Sequence, residues 1–383
     1  MISCGEPSGD LYAGALTTEL RRADPATVVT GFGGDRLRAA GASLIGDFSG
    51  LSVTGLLEVA RVVPRTYATY RRLVADAAAT RPDVFVAIDF PDFNFTLARA
   101  IRKLGVPIVY YVSPQLWAWR RGRMKTMRRI ADRVLVIFPF EVPIYEAAGV
   151  PVQWVGHPLL DVAERPRPRG AFLAELGLRE DRPVVALLPG SRRNEVRAIL
   201  PDLVRAAALI RERVPGVQFV VARAPHLADK AFTPLTGLDR GPERTVATIE
   251  GRSDDVLASA DVALVASGTV TVQAALHQCP MVVVYRLSPL TYRLGKPFIH
   301  VQTYAMANLI AGRRVVPELI QNAFTPAAVA TEALRVLTDP MHAAAVRGDL
   351  AGVKSLLGEP GASRRAAEAV LAVARAGRRN PLG

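Results

Sequence analysis

The sequence predicts an α/β protein built from two doubly wound, Rossmann-like domains facing each other across a cleft. Three observations lead there. The chain has 383 residues, and at roughly 100 to 200 residues per domain two separate cores are expected. Short, nearly continuous apolar runs alternate with longer helical patterns through both halves, the pattern of parallel strands buried on both faces. Between the halves, the stretch 161–170 carries Pro166 and Pro168 among arginines, which prevents a continuous helix and favours an extended linker. The expected domains are therefore 1–163 and 170–361.

The elements follow in order. Only Met1-Ile2-Ser3-Cys4 precede a hinge-like loop, Gly5-Glu6-Pro7-Ser8-Gly9-Asp10, which runs into apolar residues at helical spacing. A strand normally feeds such a hinge, so the sequence points to a start upstream of residue 1, with Met1 to Cys4 as the alternative, a strand stub. Strands are then expected at 28–32, 84–88, 108–112 and 134–138, where Val, Ile, Tyr and Phe run together. The second half repeats the theme at 184–188, 217–221, 262–265 and 281–285. The tail from 362 to 378 reads as an Ala/Arg-rich helix.

Composition narrows the classes of function. No apolar run approaches the roughly 20 residues that a membrane-spanning helix needs, and no signal peptide precedes the first loop, so a cytoplasmic address is expected. Cys4 and Cys279 are the only cysteines, which suggests neither a disulfide framework nor a cysteine zinc site. The net charge of +13 is almost wholly arginine and invites an anionic partner. It is concentrated at Arg120, Arg121, Arg123, Lys125, Arg128 and Arg129, directly after Trp117 and Trp119. Indoles beside arginines suit an anionic lipid surface or a phosphate. Single-stranded nucleic acid is the weaker reading, because no nucleic-acid module surrounds the cluster.

Four stretches carry candidate chemistry. After the strand at 184–188 come Pro189-Gly190-Ser191-Arg192-Arg193-Asn194-Glu195. A tight turn, a hydroxyl and arginines at a helix start are what a diphosphate needs, with Arg192 as the preferred contact. The alternative is a Ser-capped turn with Glu195 as capping partner. After the strand at 262–265 come Ser267, Gly268 and Thr269, with Gln273 one turn further on. That turn suits phosphate, and the residue at 273 suits ribose. In the first half, Asp89 stands where a buried strand leaves the sheet, with Asp92 and Asn94 following. Like charge and partial burial both raise a carboxylate pKa towards general-base use. The loop at residues 5–10 lacks the dinucleotide Gly-x-Gly-x-x-Gly spacing. Its acids disfavour phosphate, so Glu6, Ser8, Gly9 and Asp10 read as sugar-hydroxyl contacts. Asp10 equally suits the first turn of a helix.

Taken in order, Gly5–Asp10, Ile88–Asn94, Tyr111–Pro114 with Trp117–Arg120, Gly156-His157-Pro158, Leu188–Arg192, Ser267–Thr269 and Asn308–Arg313 closely resemble the lipid-A-disaccharide synthase family. The likeness covers nearly the whole chain. It implies a GT-B, inverting glycosyltransferase that joins UDP-2,3-diacylglucosamine to 2,3-diacylglucosamine 1-phosphate (lipid X), giving a β-1,6-linked disaccharide and UDP. It implies Asp89 as general base and Arg192 as important for activity. Glu6, Ser8, Gly9, Asp10, Asp92 and Asn94 would lie on the acceptor side. Gly190, Ser191, Arg192, Glu195, Ser267, Gly268, Thr269, Gln273, Asn308 and Arg313 would lie around UDP. Trp117, Trp119, Arg120, Arg121, Arg123 and Arg128, with apolar 51–63, would meet the membrane and the acceptor phosphate at the inner face of the inner membrane. Neither metal nor cofactor is implied, and the final helix, 362–383, is expected to rejoin the first domain.

Two positions depart from the family pattern: Gln273 replaces a usual Glu, and Ala307 a usual Pro. The competing readings are another UDP-sugar transferase, a UDP-sugar epimerase on the same scaffold, and a non-enzymatic basic nucleotide- or nucleic-acid-binding protein. The oligomeric state, a homodimer included, is left open by the residues.

Overall fold

In a computed structural model, residues 1–48, 56–114, 116, 121–224, 227–238, 245–287 and 303–379 are described, those at 56–62, 121 and 378–379 by backbone alone. The chain divides into two compact units, Met1–Val162 with Leu357–Gly383, and Ala163–Leu356. The proline-bearing segment thus belongs to the second unit. Its backbone is tied there by Asp255, which accepts the Arg167 N–H at 2.7 Å.

The first unit is a seven-stranded parallel sheet. Its strands are β1 (Ile2–Cys4), β2 (Thr30–Gly33), β3 (Ser43–Asp47), β4 (Phe85–Ile88), β5 (Ile108–Tyr111), β6 (Arg133–Val136) and β7 (Val152–Trp154), in the order β3-β2-β1-β4-β5-β6-β7. The short stub Ile2–Cys4 does form a strand, and it lies centrally, paired with β2 on one side and β4 on the other. Helices connect the strands: α1 (Pro7–Ala23), α2 (Asp35–Ala39), α3 (Leu56–Thr80), α4 (Pro91–Arg102), α5 (Met124–Ile130), α6 (Glu141–Ala147) and α7 (Leu159–Val162). Proline opens both α1 and α4, where its fixed φ suits a first helical residue and no N–H is missed. The core gathers Phe32, Phe85, Leu97, Ile101, Tyr110 and Tyr145 between sheet and helices.

The second unit repeats the plan with six strands: β8 (Val184–Leu188), β9 (Gln218–Arg223), β10 (Val246–Glu250), β11 (Val262–Ala266), β12 (Met281–Tyr285) and β13 (Glu318–Ile320), in the order β10-β9-β8-β11-β12-β13, all parallel. Its helices are α8 (Arg169–Glu175), α9 (Arg193–Arg213), α10 (Ser253–Ser259), α11 (Val270–Leu276), α12 (Met306–Ala311), α13 (Pro326–Thr338) and α14 (Pro340–Ser355). α9 lays Val196, Ile199, Leu200, Leu203 and Ile210 against the sheet, a spacing that makes one apolar stripe.

The last helix, α15 (Ala362–Arg379), returns to the first unit and packs on α1. The Asp161 carboxylate, at the end of α7, accepts the N–H groups of Gly361 at 2.5 Å and Ser363 at 2.6 Å. These are otherwise orphan donors at a helix start, which a carboxylate satisfies well. Among the described residues, no helix is long and apolar enough to cross a membrane.

Candidate functional site

Both sheets reverse direction of winding at one point, between β1 and β4 in the first and between β8 and β11 in the second. Ligands of open parallel sheets bind beyond the carboxyl ends of the strands at such points. The segments singled out in the sequence leave from these four strands. Gly5–Asp10 follows β1, Asp89–Asn94 follows β4, Pro189–Glu195 follows β8, and Ser267–Gln273 follows β11.

In the first unit, Asp89 and Phe90 take left-handed backbone angles one after the other, with φ 44° and 46°. That conformation is strained for residues other than glycine and persists only where surroundings enforce it. The surroundings do. Asn94 is fully buried, and its amide nitrogen donates to the carbonyls of Ser3, Ile88 and Asp89 at 3.2, 3.2 and 2.9 Å. The Tyr110 hydroxyl donates to the Asp89 carbonyl at 2.8 Å. The Phe90 ring lies over Gly5, where an added Cβ would meet it at 2.3 Å. The sequence reading placed Asn94 among the acceptor contacts; it sits instead behind the strand end, shaping the turn that carries Asp89.

Asp10 is also turned inward. It is 4% exposed, and its carboxylate accepts the N–H groups of Gly34 at 2.7 Å, Arg36 at 2.9 Å and Leu37 at 3.1 Å. It therefore binds the start of α2, while Glu6 and Ser8 remain partly open to solvent. Asp92 is exposed and pairs with Arg123, whose guanidinium also lies over Phe95 at 5.6 Å. Arg128 is exposed. Trp117, Trp119 and Arg120 lie outside the described residues, as does the side chain of Arg121.

Two residues near the Asp89 turn were not nominated individually from the sequence. His157 is 2% exposed, and its ring meets Tyr12 edge-on at 6.1 Å and Phe138 at 5.3 Å. Its Nδ1 accepts the Leu159 N–H at 3.2 Å, so the neutral ring carries its proton on Nε2. Burial pushes its pKa from 6.5 down to about 3. Tyr12 is 3% exposed; burial, with the nearby charge of Asp89 adding to it, raises its pKa well above the usual phenol value. The only sequence signal was the Gly156-His157-Pro158 stretch; Tyr12 gave none beyond an apolar position on α1.

In the second unit the turn after β8 has Gly190 at φ 116°, where only glycine is unstrained, and the Glu195 carboxylate lies over it. The N-cap of α9 is Arg192, one residue after the expected Ser191. Glu195 accepts the Arg192 N–H at 3.3 Å and its guanidinium at 3.1 Å. Ser191 is exposed, while Arg192 and Glu195 are half-buried. Gly268 and Thr269 are exposed and Ser267 half-buried at the start of α11, the Ser267 hydroxyl donating to the Tyr304 carbonyl at 3.3 Å. Gln273 is half-buried and donates to Asp254 at 2.8 Å.

Asn308, read in the sequence as a UDP contact, is 1% exposed. Its amide donates to the Val316 carbonyl at 3.0 Å and to Glu318 at 2.6 Å, and its oxygen accepts the N–H groups of Val315 and Val316. It ties α12 to the approach of β13. Arg313 is exposed and forms a bidentate pair with Asp349. Among the described residues, no cluster of three or more His, Cys, Asp or Glu is placed to hold a metal ion.

Comparison with known proteins fixes what this scaffold is. A sequence profile described as lipid-A-disaccharide synthetase matches residues 1–373. The lipid-A-disaccharide synthase of Geobacter sulfurreducens is 44% identical over 377 residues, covering 97% of this chain and 96% of that protein. That of Myxococcus xanthus is 43% identical over 378 residues, covering 99% and 98%. Among solved structures, the calicheamicin glycosyltransferase CalG4 superposes with a TM-score of 0.61 at 17% identity, covering 97% of this chain and 96% of that one. A UDP-GlcNAc 2-epimerase from Neisseria meningitidis bound to UDP-GlcNAc gives 0.64 at 13%, covering 97% and 98%. At such identities the structures speak for the shared GT-B fold alone, whereas both sequence relatives are synthases, so the epimerase reading is not favoured. The chain belongs to the lipid-A-disaccharide synthetase family, glycosyltransferases of lipid A biosynthesis.

Proposed function

We propose that the enzyme transfers the 2,3-diacylglucosaminyl group of UDP-2,3-diacylglucosamine to the 6-hydroxyl of lipid X, with inversion at the anomeric carbon. The acceptor belongs to the first unit and the donor to the second. The observation that carries this reading is that each unit has such a segment at its own winding reversal: an acid on a constrained turn in the first, and a glycine turn with an arginine in the second.

In this scheme the Asp89 carboxylate takes the proton of the acceptor hydroxyl as its oxygen attacks the anomeric carbon from the face opposite UDP. General-base help of this kind contributes roughly 10² to 10⁴ in rate. Arg192 and the N–H groups near Ser191 and Ser267–Thr269 stabilise the charge that develops on the departing diphosphate. Gln273 meets the ribose. Glu6 and Ser8 border the acceptor sugar, while Gly9, buried against Cys4, only shapes their loop, and Arg123 and Arg128 attract its phosphate.

Membrane docking is part of the same proposal. Val63 and Tyr67, on the N-terminal half of α3, are 54% and 58% exposed, which supports an apolar contact with the membrane. The inner face of the inner membrane is where both lipid substrates would be met.

The test is incubation of the protein with UDP-2,3-diacylglucosamine and lipid X, following UDP release beside Asp89→Asn. The wild type is expected to form the disaccharide, and the variant to lose about 10²-fold or more in kcat. The carbonyl bonds from Tyr110 and Asn94 to residue 89 survive that change, so the fold is expected to hold. No disaccharide from the wild type overturns the reading; full activity in the variant removes Asp89 from its role.

A further inference from the structure

Gln273 is held from behind. Asp254, in the first turn of α10, accepts hydrogen bonds from Gln273 Nε2 at 2.8 Å and His277 Nε2 at 2.7 Å on one carboxylate oxygen. Its other oxygen accepts the Glu164 N–H at 3.2 Å. The Asp254 side chain is 14% exposed and that of His277 11%. Burial opposes the charge on Asp254, yet the bonds from His277 and Gln273 outweigh it and leave the carboxyl below its ordinary range. A carboxylate has acceptors only, so the amide nitrogen of Gln273 is the atom that must face it. The amide oxygen is then turned away.

We infer that Asp254 is a positioning residue for donor binding: it fixes the amide of Gln273 so that Oε1 is presented outward as the hydrogen-bond acceptor for a ribose hydroxyl. This rests on the proposed donor role of the second unit. A neutral side chain thereby offers the acceptor chemistry that a glutamate would offer. The same contact explains why glutamine stands here. A glutamate at this position would bring a second carboxylate to hydrogen-bond distance of Asp254, and two such groups cannot both ionise without mutual repulsion. The residue usual in the family is, in this chain, the wrong partner for Asp254.

The experiment measures UDP binding by calorimetry, and donor and acceptor KM with the two lipid substrates, for the full chain, D254N, Q273E and the double variant. D254N leaves one acceptor oxygen for the donors of Gln273, His277 and Glu164, so the Gln273 amide is held less firmly, and the UDP Kd and donor KM are expected to rise about three- to tenfold, up to the worth of one hydrogen bond. Q273E is expected to raise both about tenfold or more through like-charge repulsion. In the double variant the introduced amide donates to the introduced carboxylate, and binding is expected to return to within about threefold of wild type, in keeping with one regained hydrogen bond. Acceptor KM stays unchanged throughout, which a general loss of structure would not allow.

Q273E binding UDP as well as the wild type, or a double variant no better than Q273E, overturns the inference. Should Q273E not fold, Gln273→Met, which lacks the outward acceptor and adds no charge, takes its place; an unchanged donor KM overturns the inference there too. Absence of UDP binding by the wild type overturns the donor reading of this unit, whereas wild-type binding with every variant unaffected overturns the roles of Asp254 and Gln273 and leaves the donor reading standing.

Discussion

His157 couples the stability of the first unit to acid. The ring is 2% exposed and wedged between Tyr12 and Phe138, and its one unprotonated nitrogen is occupied by the Leu159 N–H. A second proton must break that bond and charge a dry site, which is why burial takes the pKa from 6.5 to about 3. The folded value is below the unfolded one. The neutral ring's contribution is therefore fully present above pH 6.5 and is lost as the pH falls through the interval towards 3. Protons bind the unfolded chain first, and between pH 7 and 5 the linkage removes about 2 kcal/mol. All three tryptophans, 117, 119 and 154, belong to the first unit, so their fluorescence in urea follows that unit's unfolding. His157→Asn keeps an acceptor for Leu159 and has nothing to titrate. The wild type should lose about 2 kcal/mol more than this variant between pH 7 and 5, at equal urea slopes. Parallel losses in the two proteins refute the reasoning, since the variant's own packing defect moves both pH values alike.

Three further outcomes follow from the geometry. Gly5→Ala drives a Cβ to 2.3 Å from the Phe90 ring, and the displaced turn should cost about 1 to 3 kcal/mol in urea and most of the activity; unchanged kcat with unchanged stability contradicts the constrained turn. Asp10→Asn replaces a pure acceptor of three N–H groups by an amide that cannot accept all of them. It should lower stability by about 2 to 3 kcal/mol while acceptor KM in the folded protein stays put, and a raised acceptor KM would return Asp10 to the sugar site. Arg192→Gln leaves its own N–H bound to Glu195 but removes the charged donor, so kcat/KM should fall about tenfold to a hundredfold at normal stability, as read by steady-state UDP release.

The central strands were legible because burial on both faces forces uninterrupted apolar runs. Phe85–Ile88, Ile108–Tyr111, Val184–Leu188 and Val262–Ala266 are buried along their whole length. Edge strands carry no such constraint. β3 at Ser43–Asp47 and β7 at Val152–Trp154 hold no fully buried residue, and β13 holds one, so their sequences read as loop. β1 was legible only as the alternative to an upstream start, for the opposite reason. It is wholly buried but three residues long, too short for periodicity to register, and its place beside β4 follows only from pairing partners distant in sequence.

The candidate site was legible as a set of motifs at strand ends, but not in the division of labour within each motif. Asp10, Asn94, Glu195 and Asn308 are polar residues in site-like segments, and composition gives no way to tell a group that meets substrate from one that holds the backbone meeting it. Burial does. Asn94 spends its amide on three carbonyls behind Asp89, and that turn brings the ring of Phe90 over Gly5. The glycine that opens the first loop and the asparagine that closes the second are therefore two parts of one device. Gly5 leaves room for the ring, Asn94 and Tyr110 hold the carbonyls, and the backbone between them is kept in angles that Asp89 and Phe90 would not adopt alone. Two motifs far apart in the chain are thus a single constraint in space, and what that constraint fixes is the backbone that carries Asp89 at a strand end beside the winding reversal.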